Sequence, residues 1–357
     1  MSTPLRGHKT AIQFGRETLF GAPAVATHRL EVLSENITPD IGFIRDPSLY
    51  DGLSRRAIYP GSLSTVGTFT TRGNYNGLGL LWDCLMGTAV YANNGGSATG
   101  VGPFKWTFTP KSLLNSLSFQ IPHGGDIAGE TGGYVRVTGA VIPAVTIRVR
   151  AGSGDEAMMS MEWEVYGSTM SVQTSGLTAV PATPAVDPII FTQMTTALGP
   201  SVGAPETNDV RIKELEIRIT TPIDRERRYL GSSSPDIPIR NDFFAPTYRI
   251  TMEAHSREQL KSAIAVTKRG VGFKFTNGAA AAALRSLLFA SSDTNATSFT
   301  APVENYGIVT QTVEWEAVAA TAAGSATTLY EGQGINDAMV IVADLSLGGT
   351  SLTTGTV

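Results

Sequence analysis

The sequence predicts a mainly β protein, and three observations carry that reading. Apolar and polar residues alternate with period two along many short stretches, the signature of half-buried strands. Glycine is abundant, with 38 residues, which suits a chain that turns often between short strands. Apolar residues at helical spacing stand out in only two short places.

Taken in order, the first half opens with Leu30-Glu31-Val32, followed by Thr38-Pro39. A long Arg/Pro/Gly/Ser loop is expected over residues 40–61, because neither period is visible there. Leu80, Leu81, Cys84 and Leu85 give a short helix an apolar face, and Gly87 is placed to end it. Leu117, Phe119 and Ile121 then alternate with Ser116, Ser118 and Gln120. Val145, Ile147 and Val149 alternate with Thr146, Arg148 and Arg150, and Met159, Met161, Trp163 and Val165 with Ser160, Glu162 and Glu164. Further on, Tyr248, Ile250 and Met252 alternate with Arg249 and Thr251. Ser256 and Gln259 form a capping-box pattern for a second helix, with Leu260 and Ile264 as its buried stripe and Gly270 as its stop. Val271, Phe273 and Phe275 make another strand, and Val313, Trp315 and Ala317 alternate with Glu314 and Glu316.

Composition narrows the function classes. The 357 residues allow one large or two ordinary domains, with a real core in either case. Charged residues are only 16% and the formal net charge is −4, with no dense run of Lys and Arg. A protein that grips duplex DNA needs clustered cations, so that class is disfavoured. Cys84 is the only cysteine, which rules out a disulfide within the chain and reads as a small buried hydrophobe. The polar, basic N-terminus has no apolar run behind it, so a soluble protein made in a cytoplasm is expected.

An internal repeat organises the chain. Leu30-Glu31-Val32 matches Leu215-Glu216-Ile217, and Thr38-Pro39 matches Thr221-Pro222. In each half a long loop, a strand and one short helix follow, and each half reaches Glu-Trp-Glu on an alternating strand, at Glu162-Trp163-Glu164 and Glu314-Trp315-Glu316. The first half is longer between these landmarks, so insertions are expected near 88–102 and 124–133. The expected organisation is a first domain over 1–173, a Pro/Ala/Thr-rich linker or crossing over 174–208, and a second domain over 209–357 with a flexible C-terminal tail.

Catalytic and metal signatures are missing. His8, His28, His123 and His255 stand in no metal-binding spacing. Gly77-Leu78-Gly79 lacks the third glycine of a dinucleotide loop, since Trp82 stands there. Glu162 with Glu164, and Glu314 with Glu316, each share one strand face at a spacing that a glycosidase dyad uses. The same pair in both halves reads more simply as an acidic surface stripe. No enzyme activity, cofactor or metal is expected. The four tryptophans lie in apolar patterns, which suits a core better than the exposed aromatics of a lectin.

The run from Ile12 to Pro23, Ile-Gln-Phe-Gly-Arg-Glu-Thr-Leu-Phe-Gly-Ala-Pro, resembles the start of the tail tube proteins of long-tailed, non-contractile bacteriophages. There a short strand leads into a Glu-Thr-x-aromatic-Gly turn. The stretch from Gly61 to Gly87 is similar to the same family, with a glycine-rich strand before a short helix. The resemblance implies two tandem β-sandwich or barrel-type tail tube domains, each with one short flanking α-helix and a long inter-strand loop. It implies rings, trimeric and pseudo-hexameric for a duplicated chain, that stack into a hollow tube conducting genome DNA. Glu162, Glu164, Glu314 and Glu316 are the candidate lumen-facing acids. Arg45, Arg55, Arg56, Arg225, Arg227 and Arg228 are the candidate inter-ring loop contacts. The implied partners are the chain itself and the tail tip or baseplate, tape measure and tail terminator proteins, in a virion assembled in the host cytoplasm. DNA would pass without specific binding, and no membrane is implied. A capsid decoration protein or a carbohydrate-binding β-sandwich is the alternative.

Overall fold

The computed structural model describes residues 11–46, 58–93, 104–122, 133–173, 181–184, 186–199, 211–254, 258–277, 285–301, 309–318 and 340–345. The expected second insertion (save Gly133), the loop after His123 and the C-terminal tail beyond Leu345 lie outside them.

The chain is mainly β, as its periodicity predicts. The first half supplies β1 (Ala11–Arg16), β2 (His28–Glu31), β3 (Ser34–Arg45), β4 (Ile58–Arg72), helix α1 (Gly79–Met86), β5 (Gly87–Asn93), β6 (Phe104–Pro110), β7 (Leu117–Pro122), β8 (Tyr134–Ala140), β9 (Ala144–Arg150), β10 (Ser160–Gly167) and β11 (Thr169–Gln173). The second supplies β12 (Met194–Gly199), β13 (Ile212–Thr220), β14 (Thr247–Glu253), helix α2 (Glu258–Ile264), β15 (Arg269–Thr276), β16 (Ser286–Thr300), β17 (Thr310–Val318) and β18 (Val340–Leu345).

Two sheets result. The smaller runs β11-β8-β7-β1-β2, and the larger runs β3-β4-β10-β9-β13-β14-β17-β16-β18-β6-β5, with β15 joining β16 to β12. Within these orders one pattern occurs twice. The run β3-β4-β10-β9 has the chain order of β13-β14-β17-β16, and β11-β8-β7-β1 that of β18-β16-β15-β12. The long β16 serves both runs of the second half, doing the work of β8 and then β9. Registers agree as well. Trp163 lies opposite Phe69, and Trp315 opposite Tyr248. Phe69 packs edge-on to Phe119 with ring centroids 5.9 Å apart, and Tyr248 packs on Phe273 at the same 5.9 Å.

The halves share one core. An aromatic chain links Phe14 to Phe119 (5.8 Å), Phe69 to Trp163 (6.4 Å), Trp163 to Trp82 (4.7 Å) and Trp82 to Phe289 (5.7 Å). All four tryptophans are buried, as their apolar settings predict. Helix α1 lies within this core with every residue buried. It ends at Gly87, whose φ of 91° is the left-handed cap that glycine adopts without strain.

Several expectations need correction. Leu30 and Glu31 sit on β2 in the small sheet, whereas Leu215 to Ile217 sit on β13 in the large one. By register the counterpart of Ile217, opposite Tyr248, is Glu35, opposite Phe69. The loop expected over 40–61 is partly strand, because β3 runs on to Arg45 and β4 begins at Ile58, making a long hairpin arm. Glycine and proline hide the period there, yet cross-strand pairing holds the backbone extended. The crossing over 174–208 contains a buried Ile189 and strand β12 paired to β15. Helix α2 ends at Ile264, which is 75% exposed rather than buried, and Gly270 belongs to β15. The insertion expected near 88–102 falls in the β5–β6 hairpin, which adds to the second half's β18.

Candidate assembly surface

Eight adjacent strands, from β3 to β16, form a wall with one apolar and one polar face. Period two puts Phe69, Trp163, Ile147, Ile217, Tyr248 and Trp315 into the core. The neighbouring residues face away. Glu162, Glu164, Glu314 and Glu316 all stand on this outer, half-exposed side, so the four predicted acids share one face.

They do not form an uninterrupted acidic stripe. Cross-strand register sets Arg148 beside Glu216, Glu216 beside Arg249, and Arg249 beside Glu314. Opposite charges at directly facing sheet positions attract, and this row alternates in sign. Arg148 is its pivot: its Nε donates to Glu216 at 2.8 Å and its Nη1 to Glu162 at 3.4 Å. Hydrogen bonding to the Glu216 carboxylate raises the Arg148 pKa, which keeps it cationic. This ion pair crosses the seam where β9 of the first half meets β13 of the second.

The seam is a full antiparallel ladder, with Val149 facing Leu215, Ile147 facing Ile217 and Val145 facing Ile219. The connection over residues 221–246 then folds back over the first half. Leu63 donates its backbone N–H to Ser233 O at 2.9 Å, and Tyr166 its hydroxyl to Arg225 O at 2.7 Å. Arg240 donates to the Leu85 and Met86 carbonyls, at 3.1 and 3.0 Å, capping the C-terminus of α1 with a cation.

The predicted loop arginines divide. Arg225 pairs with Glu164 at 3.7 Å and lies over the Tyr166 ring. Arg227 pairs with Asp236 at 3.4 Å, and Arg228 with Glu226 at 3.4 Å. These three act within the chain. Arg45 ends β3 at the exposed tip of the arm, and Arg55 and Arg56 lie outside the described residues. The arm also exposes Ile41, Phe43, Ile44, Ile58 and Tyr59, a run of apolar side chains that a solvated hairpin does not need.

The glutamate of the N-terminal turn has a structural task that its motif did not reveal. Glu17 is buried and accepts from Gly21 N (2.8 Å), Ser116 Oγ (2.7 Å), Ser118 Oγ (2.7 Å) and Gly139 N (2.8 Å). It ties the turn after β1 to β7 and β8. On α1, burial pushes the Asp83 carboxyl up, against the pull of Arg16 at 3.3 Å and of Asn115, which donates at 3.0 Å. Cys84 is fully buried and its thiol is pushed up by burial, which makes it a packing residue rather than a nucleophile.

Among the described residues no group of three or more His, Cys, Asp or Glu is placed to hold a metal, and no helix is long and apolar enough to cross a membrane. Compared with known families, residues 7–317 match the family model for phage tail tube protein. No match was found among curated proteins.

Proposed function

The chain belongs to the phage tail tube protein family, and from that premise we propose that it is the tube subunit of a long, non-contractile phage tail, built from a duplicated tube domain. Chains close into rings, and rings stack into a hollow tube that conducts genome DNA to the host during ejection. The protein acts as virion structure rather than as an enzyme. It assembles in the host cytoplasm and meets the tail tip or baseplate, tape measure and tail terminator proteins.

The observation that carries this reading is the twice-used strand order, with one run sewn to the other through β9 and β13. Each half offers four strands to a common wall. The units are taken as 1–173 and 209–357, joined by the crossing over 174–208. Three chains then supply six units, and a trimeric ring has a pseudo-sixfold outline. Closing the wall into a ring also removes sheet edges, which are hazards when left free.

The polar face is the lumen lining in this reading, with Glu162, Glu164, Glu314 and Glu316 among its groups. Its arginines alternate with carboxylates, so the wall offers no continuous cationic track to hold phosphates, and a duplex slides. Arg45, Arg55 and Arg56 on the first arm meet the next ring, while Arg225, Arg227 and Arg228 set the shape of the second loop.

Negative-stain electron microscopy of concentrated protein, with mass determination on the same sample, tests the proposal. Hollow tubes, or rings of three chains with a sixfold outline, are expected. Closed shells of another symmetry, or glycan-binding dimers, would refute it.

A further inference from the structure

We propose that neighbouring chains join by repeating, strand for strand, the seam that joins the two halves of one chain. The inference rests on the ring reading above and names the partner surface: the free edge of β16 in one chain and the free edge of β3 in the next.

The observations are topological. In the internal seam β9, last of the run β3-β4-β10-β9, pairs with β13, first of the run β13-β14-β17-β16. The positions that would repeat this contact are β16, last of the second run, and β3, first of the first. Both edges are open. Among the described strands β3 pairs only with β4, and residues 295–300 of β16 pair only with β17. A second copy of the chain therefore fits both edges at once.

Register follows from the tryptophans. Trp163 faces Val145 as Trp315 faces Ala296, and Glu162 faces Thr146 as Glu314 faces Ser298. Phe69 faces Glu35 as Tyr248 faces Ile217. The internal pairs Thr146–Arg218 and Val145–Ile219 thus become Ser298–Asn36 and Ala296–Ile37 between chains. On the core side, Phe299 and Ile37 continue the apolar face, and Leu33, 55% exposed, comes under cover. The internal ion pair Arg148–Glu216 maps to Thr300 and Ser34, so the chain-to-chain seam is neutral at that row.

A second observation agrees. The end of α1 is buried because residues 221–246 of the other half cover it. The end of α2 has no such cover among the described residues: Ile264 is 75% and Val266 67% exposed. The first-half arm is the counterpart of that covering loop, and its exposed Phe43, Ile44, Ile58 and Tyr59 supply the apolar surface that the neighbour's α2 end lacks.

The test uses the full-length chain carrying Asn36→Cys and Ser298→Cys, both at exposed positions, under mild oxidation. The one native cysteine, Cys84, is buried and does not compete. Thr146→Cys with Arg218→Cys is the internal control and must cross-link within a monomer. The expected result is a covalent ladder of chains ending in a closed trimer, together with loss of assembly but unchanged melting in an Ile264→Asp variant. Rings or tubes without the cross-link, while the control closes, would overturn the seam and leave the tube reading intact. Cross-linking through the shifted pair Glu35→Cys and Ser298→Cys instead would overturn the register. Failure of the unmodified chain to form rings or tubes would defeat both proposals.

Discussion

Glu17 shows how a single buried carboxylate can fix a turn. Four donors converge on it, so its removal strands two serine hydroxyls and two backbone N–H groups in the interior. Glu17→Ala is expected to lower stability by about 3–5 kcal/mol, and Glu17→Gln by less. The measurement is the denaturant midpoint at constant slope. Asp83 makes a prediction in pH. Its carboxyl, ordinarily near 3.8, is raised in the folded state by burial. Between the unfolded and folded values the native state binds more protons, so this group costs stability as pH rises through that window. Stability of Asp83→Asn relative to the parent should therefore climb with pH and level off above the raised value. A pH-independent difference would show that the Arg16 pair outweighs burial. Arg148 is 52% exposed at its side chain, so Arg148→Met should cost no more than about 1 kcal/mol. Its two carboxylate partners fix orientation along the seam more than they add stability.

Elements carry different burdens in the two halves. Helix α1 is wholly buried and capped twice, by Gly87 and by Arg240 from the other half. An alanine Cβ at Gly87 would lie 2.9 Å from Leu113 O and would require a left-handed φ. Gly87→Ala is expected to cost about 1–2 kcal/mol, read as a lowered thermal midpoint with unchanged far-UV circular dichroism. Helix α2 occupies the matching place in its half but ends in exposed Ile264 and Val266. The inserted β5–β6 hairpin leaves its own half and extends the sheet of the other through β18. It brings Trp106 and Phe108 into burial there.

At the scale of the whole molecule the halves are not beads on a string. Trp82 of the first half contacts Phe289 of the second, and the β9–β13 ladder runs through the middle of the large sheet. Shared apolar surface couples the unfolding of one half to that of the other. Calorimetry of the unassembled chain should therefore give one cooperative transition, with calorimetric and van't Hoff enthalpies equal. Two resolved transitions would show that the halves melt separately.

What the sequence determined alone is what short-range geometry dictates. Alternation at Val145–Val149, Met159–Val165 and Val313–Ala317 named strands and their buried faces, because side chains on an extended backbone point to opposite sides in turn. The spacing of Leu81, Cys84 and Leu85 before Gly87 named α1, and the turn from Glu17 to Gly21 carried the family resemblance. Recurrence of Glu-Trp-Glu signalled the repeat, although Leu30 was matched to Leu215 across two different sheets. Only the tertiary structure decided which strand edges meet. Hydrogen bonds along a strand edge are much the same for any partner, so a sequence does not state that β9 meets β13 or that β6 meets β18. The same limit hid the arm beyond Thr38, the cover on α1 and the bareness of α2. Each depends on what a distant segment brings into contact, and that choice is settled by closing edges and burying apolar surface across the whole chain.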